Sequence, residues 1–379
     1  VKVAIVHDWS VGYAGSERVV EQLIALFPQA DLHFVADFIP DAQRAFLAGK
    51  TPTTTFIQNL PWARRLVRHY LPLMPMAVET IDLSGYDVIL SSSHAVAKGV
   101  LSAPGQIHIC YCHTPLRYAW DLQHEYLREA GLTHGIRRAA AIGILHYLRL
   151  WDVRTAHGVD RFVANSNFIA GRIRRVYSRD SVVVYPPVDT EYYTLSDDKR
   201  SYYFTASRLV PYKRIGLLLD AFRQMPGRRL LVAGDGPDLD RYRRAAPTNV
   251  ELLGPVPRSS LRQLMQHARA FVFAAEEDFG IVLAEAQACG TPAICYGRGG
   301  ALDIVVDEQT GLFFRQPTAE SLRETVGRFE ARTARWDSHH IRRNALRFSI
   351  QSFRDNFLQV FHSATHAPEE ECGPLQVGS

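Results

Sequence analysis

Two cations five residues apart, Arg208 and Lys213, stand in Ser207-Arg208-Leu209-Val210-Pro211-Tyr212-Lys213-Arg214, between a strand-like run ending near Ala206 and a helix-like run from Ile215 to Phe222. A loop that ends at a helix start also presents free backbone N–H groups, so it can bring two positive charges and several donors to one anion. A diphosphate has the charge and reach to use both side chains. The same pair also fits two solvated cations. A second loop in the same setting, Glu276-Glu277-Asp278-Phe279-Gly280-Ile281-Val282-Leu283-Ala284-Glu285, puts one carboxylate before a glycine and another about a turn inside the following helix. Gly280 lets the backbone turn closely around a ligand, Ile281 and Val282 offer N–H groups, and the carboxylates of Glu277 and Glu285 suit paired bonds to sugar hydroxyls. Their plainer reading is a solvated loop charge and a helix-start acid favoured by the dipole.

His113 follows the apolar run Ile107 to Cys112, at a strand exit from which an imidazole can bond a substrate hydroxyl or stabilise charge. Among 15 histidines, most must be ordinary packing or surface residues. Gly15, in Val11-Gly12-Tyr13-Ala14-Gly15-Ser16-Glu17, follows the first strand and enters a helix; it allows close approach of a phosphate or sugar, or is simply a turn. The strand exits Ala233-Gly234-Asp235-Gly236-Pro237 and Tyr296-Gly297-Arg298-Gly299-Gly300-Ala301 are glycine-rich, but neither spells the dinucleotide fingerprint.

Short apolar strand candidates alternate with amphipathic helix candidates along the whole chain, the pattern of parallel sheets covered by helices. The first half offers strands at Lys2 to His7, Asp31 to Val35, Val88 to Ser91, Ile107 to Cys112 and Arg161 to Ala164. The second offers Ser201 to Ala206, Arg229 to Ala233, Val250 to Leu253, Ala270 to Phe273 and Pro292 to Tyr296. Between them Val184-Tyr185-Pro186-Pro187-Val188-Asp189 reads as a stiff, extended hinge between two doubly wound domains. Ligands of such sheets bind beyond the carboxyl ends of the strands, where the loops singled out above would stand.

The chain has 379 residues, enough for two or three domains, and with 47% hydrophobic and 22% charged residues it can bury sizeable cores. A net charge of +4 is too mild to announce a nucleic-acid binder. Five scattered cysteines form no disulfide framework, which fits a reducing compartment, and the pair Cys110 and Cys112 lacks the ligand count of a zinc site. The chain opens directly on strand-like residues with no signal-peptide pattern, so a cytosolic protein, or one bound to a membrane by its surface, is expected. One segment bears on that surface. With Pro61 starting a helix, Trp62, Leu66 and Tyr70 share a face while Arg64, Arg65 and Arg68 lie away from it, followed by the proline-broken apolar run Leu71 to Met76. The pattern fits a core-facing helix with solvated arginines, or a segment lying on an anionic membrane.

Arg208 and Lys213, the Glu277 to Glu285 spacing around Phe279-Gly280, Ala288-Cys289-Gly290-Thr291-Pro292, Gly299-Gly300 and the early Gly15-Ser16-Glu17-Arg18 together resemble the glycosyltransferase family 4 signature. That resemblance implies the GT-B fold: two Rossmann-like doubly wound domains with a cleft between them and a C-terminal helix crossing back to the first. The implied division is an acceptor domain over 1–187 joined by a crossing helix at 348–365, a nucleotide-sugar domain over 188–347 and a flexible tail at 366–379. By the same resemblance Arg208 and Lys213 hold the donor diphosphate and Glu285 the ribose hydroxyls. Glu277 would hold the transferred sugar with backbone groups of Phe279, Gly280 and Ile281, Gly15 would face the phosphates, and His113 would contact the sugar near the reacting carbon. Many relatives have two glycines where this chain has Ala14-Gly15.

His7-Asp8-Trp9 and His113-Thr114-Pro115-Leu116-Arg117-Tyr118 look most like bacterial mannosyltransferases of O-antigen and exopolysaccharide assembly, which use GDP-mannose and lipid-linked saccharide acceptors. The resemblance implies retention of anomeric configuration with no metal or other cofactor, and no Asp-x-Asp motif stands at the main cleft loops. The site it implies has His113, Glu277, Arg208 and Lys213 as catalytic residues, acting on the cytoplasmic face of the inner membrane. Alternatives are a UDP-hexose donor or a nucleotide-sugar epimerase.

Overall fold

The computed structural model describes residues 1–120, 123, 127–128, 131–132, 134–332 and 336–366; all but the first residue of the expected tail lies outside them. The alternation read from the sequence becomes two parallel sheets. The first consists of β1 (Val3–Ser10), β2 (Asp31–Asp37), β3 (Thr53–Thr54), β4 (Val88–Ser93), β5 (Ile107–Cys112), β6 (Arg161–Ala164) and β7 (Ser181–Val183), in the order β3-β2-β1-β4-β5-β6-β7. The second consists of β8 (Tyr202–Ala206), β9 (Arg229–Ala233), β10 (Val250–Gly254), β11 (Ala270–Phe273), β12 (Ala293–Tyr296) and β13 (Gly311–Phe314), in the order β10-β9-β8-β11-β12-β13. This is the GT-B arrangement of two Rossmann-like domains. β1 and β4 are buried at every position, as strands covered on both faces must be; each opens apolar and turns polar toward its carboxyl end, with His7, Asp8 and Ser10 in β1 and Ser91, Ser92 and Ser93 in β4. In each sheet the strand order turns at the first strand, β1 or β8. The crevice beyond that strand's carboxyl end is therefore where a ligand fits.

Helix Gly15–Leu26 buries Val19, Val20, Leu23 and Ile24 against Ile5, Phe34 and Leu90. Helix Ile350–Thr365 adds Phe353, Phe357, Val360 and Phe361 to that same cluster, so the last described helix belongs to the core of the first domain. At about 1.5–3 kcal/mol for each fully buried large apolar side chain, these residues are the adhesive that brings the chain back. Phe348, just before that helix, packs instead in the second domain's core with Phe279.

The basic segment departs from the expected helix. A single turn, Ala63–Leu66, gives way to a 3₁₀ stretch over Val67–Leu73, and Trp62 precedes it in a left-handed conformation (φ 53°) with 79% of its surface exposed. Pro72 inside the 3₁₀ stretch has no N–H to continue a helical ladder. The fully buried residues are Ala63, Val67 and Met74; of the expected face Leu66 and Tyr70 are half-buried, Tyr70 packing against the core, and Trp62 points out, while Arg64, Arg65 and Arg68 are exposed. Among the described residues no helix is long and apolar enough to cross a membrane.

Candidate active site

Gly15, His113, Arg208, Lys213, Glu277, Phe279, Gly280 and Ile281 all line one cavity of about 720 Å³ between the two domains; Glu285 does not. The second-domain wall follows from two strand exits. After β8 the chain makes a 3₁₀ turn, Pro211–Lys213, and Arg214 at φ 55° redirects it into helix Ile215–Arg223. This leaves Arg208 and Lys213 on the cavity side. After β11, Gly280 at φ 96° serves as N-cap of helix Ile281–Ala288, a conformation that favours glycine, and the first residues of that helix, Ile281 and Val282, line the space. Phe279 anchors the turn by stacking on Tyr185 and meeting Phe348 edge-on. Lys213 and Glu277, both partly buried, form an ion pair across these two loops. A bound phosphate would find an ammonium already in place, and a bound sugar a carboxylate.

The first-domain wall is His113 and the start of helix Gly15–Leu26. Glu17 accepts the backbone N–H of Ala14 at 3.0 Å, which fixes the start of the helix, and Gly15 lies opposite Ile281. His113 is held on three sides. Its N–H donates to Ser93 O at 2.8 Å, its carbonyl accepts from Asn165 Nδ2 at 2.9 Å, and its Nε2 is 2.9 Å from Ser92 Oγ. Burial, with His94 and His7 nearby, pushes its pKa down to about 3, so the ring is neutral at physiological pH. Beneath it, Asp8 accepts four backbone N–H bonds, from His94, Ala95, Val96 and Ala97, at 2.6–2.9 Å. This buried carboxylate closes the turn after β4 and so is a structural anchor.

Side chains that sequence reasoning did not select tie the domains together around the cavity. Asp278 of the second domain meets Arg117 at 3.2 Å and Arg172 at 3.4 Å, and its carbonyl accepts from Ser166 Oγ at 2.5 Å. Arg117 follows His113 by four residues, yet nothing in its local sequence names a partner 161 positions away. Glu285, expected to face ribose, is instead paired with Arg18 of the first domain at 2.6 Å.

Residues 13–192 match the family model described as Glycosyltransferase Family 4, and residues 193–347 match the one described as Glycosyl transferases group 1. By both halves, the chain belongs to the family 4 type of glycosyltransferases. The chain is 28% identical over 231 residues to D-inositol 3-phosphate glycosyltransferase of Mycobacteroides abscessus, covering 54% of this chain and 52% of that protein. It is 32% identical over 140 residues to GDP-mannose-dependent alpha-(1-6)-phosphatidylinositol monomannoside mannosyltransferase of Mycolicibacterium smegmatis, covering 32% of this chain and 36% of that one. The aligned part thus spans about half or less of these relatives' length. Among solved structures, Anabaena Alr3699/HepE in complex with UDP superposes with a TM-score of 0.68 at 18% identity, covering 96% of this chain and 100% of that one. At that identity the likeness concerns the fold.

Proposed function

We propose that this glycosyltransferase moves a hexose, mannose from GDP-mannose, onto a lipid-linked saccharide in bacterial surface polysaccharide synthesis, with retention of anomeric configuration and without a metal. The observation that carries the reading is the convergence of Arg208, Lys213, Glu277 and His113, from three different loops of two domains, on one cavity of about 720 Å³. A nucleotide sugar needs both a cationic grip and hydroxyl acceptors within one cleft. The mannosyl donor is favoured by the Mycolicibacterium smegmatis relative, whose name states GDP-mannose dependence. A UDP-hexose is the second reading, favoured by the HepE complexes with UDP and UDP-glucose.

In the proposed reaction the bond between the anomeric carbon and the diphosphate oxygen breaks, and charge builds on the leaving phosphate. Arg208 and Lys213 offset that charge where it develops. The acceptor hydroxyl bonds to the same face of the anomeric carbon, and its proton passes to a leaving phosphate oxygen. Glu277 holds hydroxyls of the migrating sugar, Glu285 the ribose, and the N–H groups at Gly280 and Ile281 the sugar or phosphate oxygens. An acceptor anchored in a bilayer would require work at a membrane surface, for which exposed Arg64, Arg65 and Arg68 beside Trp62 supply charge and an apolar side chain.

The test is incubation with a panel of nucleotide sugars and lipid-linked acceptors, with products identified by mass. Release of nucleoside diphosphate only when acceptor is present supports transfer. Conversion of the donor without acceptor would mean an epimerase, and inactivation by chelator that a divalent ion reverses would contradict the metal-free reaction.

A further inference from the structure

Ser92 of β4 is fully buried between two imidazoles: its Oγ is 2.9 Å from Nε2 of His113 and 3.1 Å from Nδ1 of His7. The same Nδ1 lies 3.0 Å from the Ser92 carbonyl oxygen. A carbonyl can only accept, so Nδ1 of His7 carries the proton of that contact, and the neighbouring Oγ shares it. The Ser92 hydroxyl therefore cannot donate to His7. Among the described residues its remaining partner is Nε2 of His113, and a buried hydroxyl hydrogen left unspent would be a costly exception. Accounting for every donor makes Nε2 of His113 an acceptor, so the neutral ring keeps its proton on Nδ1.

The far end of the train sets its direction. Glu17 Oε1 lies 3.6 Å from Nε2 of His7, with both side chains almost fully buried, and Glu17 is itself held by Ser10 Oγ at 2.7 Å. A carboxylate there favours His7 with protons on both nitrogens, which keeps Nδ1 a donor. Glu17, His7 and Ser92 all stay behind the cavity wall that His113 forms.

We infer that Ser92 and His7 are positioning residues that hold His113 as its Nδ1–H tautomer, so that the imidazole offers a donor, not a lone pair, to an oxygen of the bound sugar. That the ligand is a sugar rests on the transferase reading. A ring held this way cannot take a proton through Nδ1 from an attacking hydroxyl, which leaves the departing phosphate oxygen as the place where that proton goes.

The tautomer can be read without substrate. In protein labelled with ¹⁵N-histidine, long-range ¹H–¹⁵N correlation should give His113 a pyrrole-like Nδ1 and a pyridine-like Nε2, with His113→Gln identifying the signals by their loss. Ser92→Ala should move the ring toward the other tautomer, and Ser92→Thr, which keeps the hydroxyl, should not. A wild-type His113 protonated on Nε2 overturns the inference, as does an unchanged pattern in Ser92→Ala. If Ser92→Ala does not fold, the wild-type spectrum decides alone. With donor and acceptor supplied, Ser92→Ala should lower kcat about 10-fold at little-changed KM for the donor, and Ser92→Thr should recover most of it. Wild-type kinetics in Ser92→Ala would overturn the positioning role. A wild-type protein that turned over no nucleotide sugar would sink the transferase reading and leave the tautomer result standing.

Discussion

Arg18 and Glu285, 267 residues apart in sequence, meet across the cleft with Nη1 2.6 Å from Oε1. The glutamate side chain is 3% exposed and the arginine 23%, so the two partners differ in what their loss leaves behind. Arg18→Ala strands a buried carboxyl, whereas Glu285→Ala leaves a guanidinium that can reach water. Thermal unfolding should therefore show the larger loss for Arg18→Ala, about 3 kcal/mol. As the proposed ribose ligand, Glu285 must share or exchange Arg18 for hydroxyls when nucleotide binds. Calorimetry with free nucleoside diphosphate should show about 10-fold weaker binding for Glu285→Ala. Glu277→Ala should keep that affinity and lose sugar transfer. An equal loss of diphosphate affinity in both would contradict this division.

Arg208 and Lys213 are expected to matter to rate far more than to folding. Each stands on the cavity wall, and replacing either by Ala should lower kcat about 10²- to 10³-fold while shifting Tm little. Near wild-type turnover at saturating donor in either variant would remove that residue from the diphosphate grip.

Gly300 holds a different kind of position. A Cβ there would lie 2.3 Å from Phe279 Cα and 2.4 Å from Phe279 O, which are backbone atoms that cannot step aside. Gly300→Ala should thus displace the loop carrying Glu277 to Gly280, costing about 1–3 kcal/mol and much of the activity. Gly171, in helix Asn167–Tyr177 with nothing within 4 Å, is the matched control. Ala there should stabilise by about 0.5–1 kcal/mol and leave turnover alone.

Stability should also depend on pH through His7 and Glu17. Burial alone would lower His7, but Glu17, Asp8 and the Ser92 carbonyl outweigh it and raise its pKa above the ordinary 6.5. Burial alone would raise Glu17, yet His7, Ser10 and backbone donors bring it from 4.5 to about 2. The His7 contribution is complete below pH 6.5 and is lost as pH climbs through the raised value; the Glu17 contribution is complete above pH 4.5 and is lost as pH falls toward about 2. The histidines buried in neutral form, His113 and His108 among them, act in the opposite sense below pH 6.5, their pKa values being lowered to about 3 and about 4. The readout is therefore the difference in Tm between wild type and Glu17→Gln, expected to be greatest and flat between pH 4.5 and 6.5 and to shrink on both sides. A difference independent of pH would refute the pairing.

Membrane association is checked by sedimentation with anionic vesicles. Binding should weaken with added salt and fall strongly when Arg64, Arg65 and Arg68 are replaced together by Ser, each arginine adding about 1 kcal/mol near anionic lipid. Wild-type protein that ignores such vesicles at low salt would end this proposal and leave the transfer reaction untouched.

All ten strands anticipated from the sequence are present, because a parallel strand covered on both faces must be an apolar run bounded by turn residues, and that is a local property. The sequence reading passed over β3, β7 and β13, which have two, three and four residues and too little pattern to stand out. The placement of the loop residues was legible for a similar reason, since Arg208, Lys213, Glu277 and Gly280 are each read against a neighbouring strand and helix. Helical periodicity at Trp62 to Tyr70 misled, because a left-handed residue and a proline broke the ladder that periodicity presupposes. Only the tertiary structure could decide the rest. Arg18 with Glu285, Arg117 and Arg172 with Asp278, and Ser92 between His7 and His113 are pairings between residues brought together when sheets and domains pack. Their partners are chosen by distance in space, for which separation along the chain carries no signal.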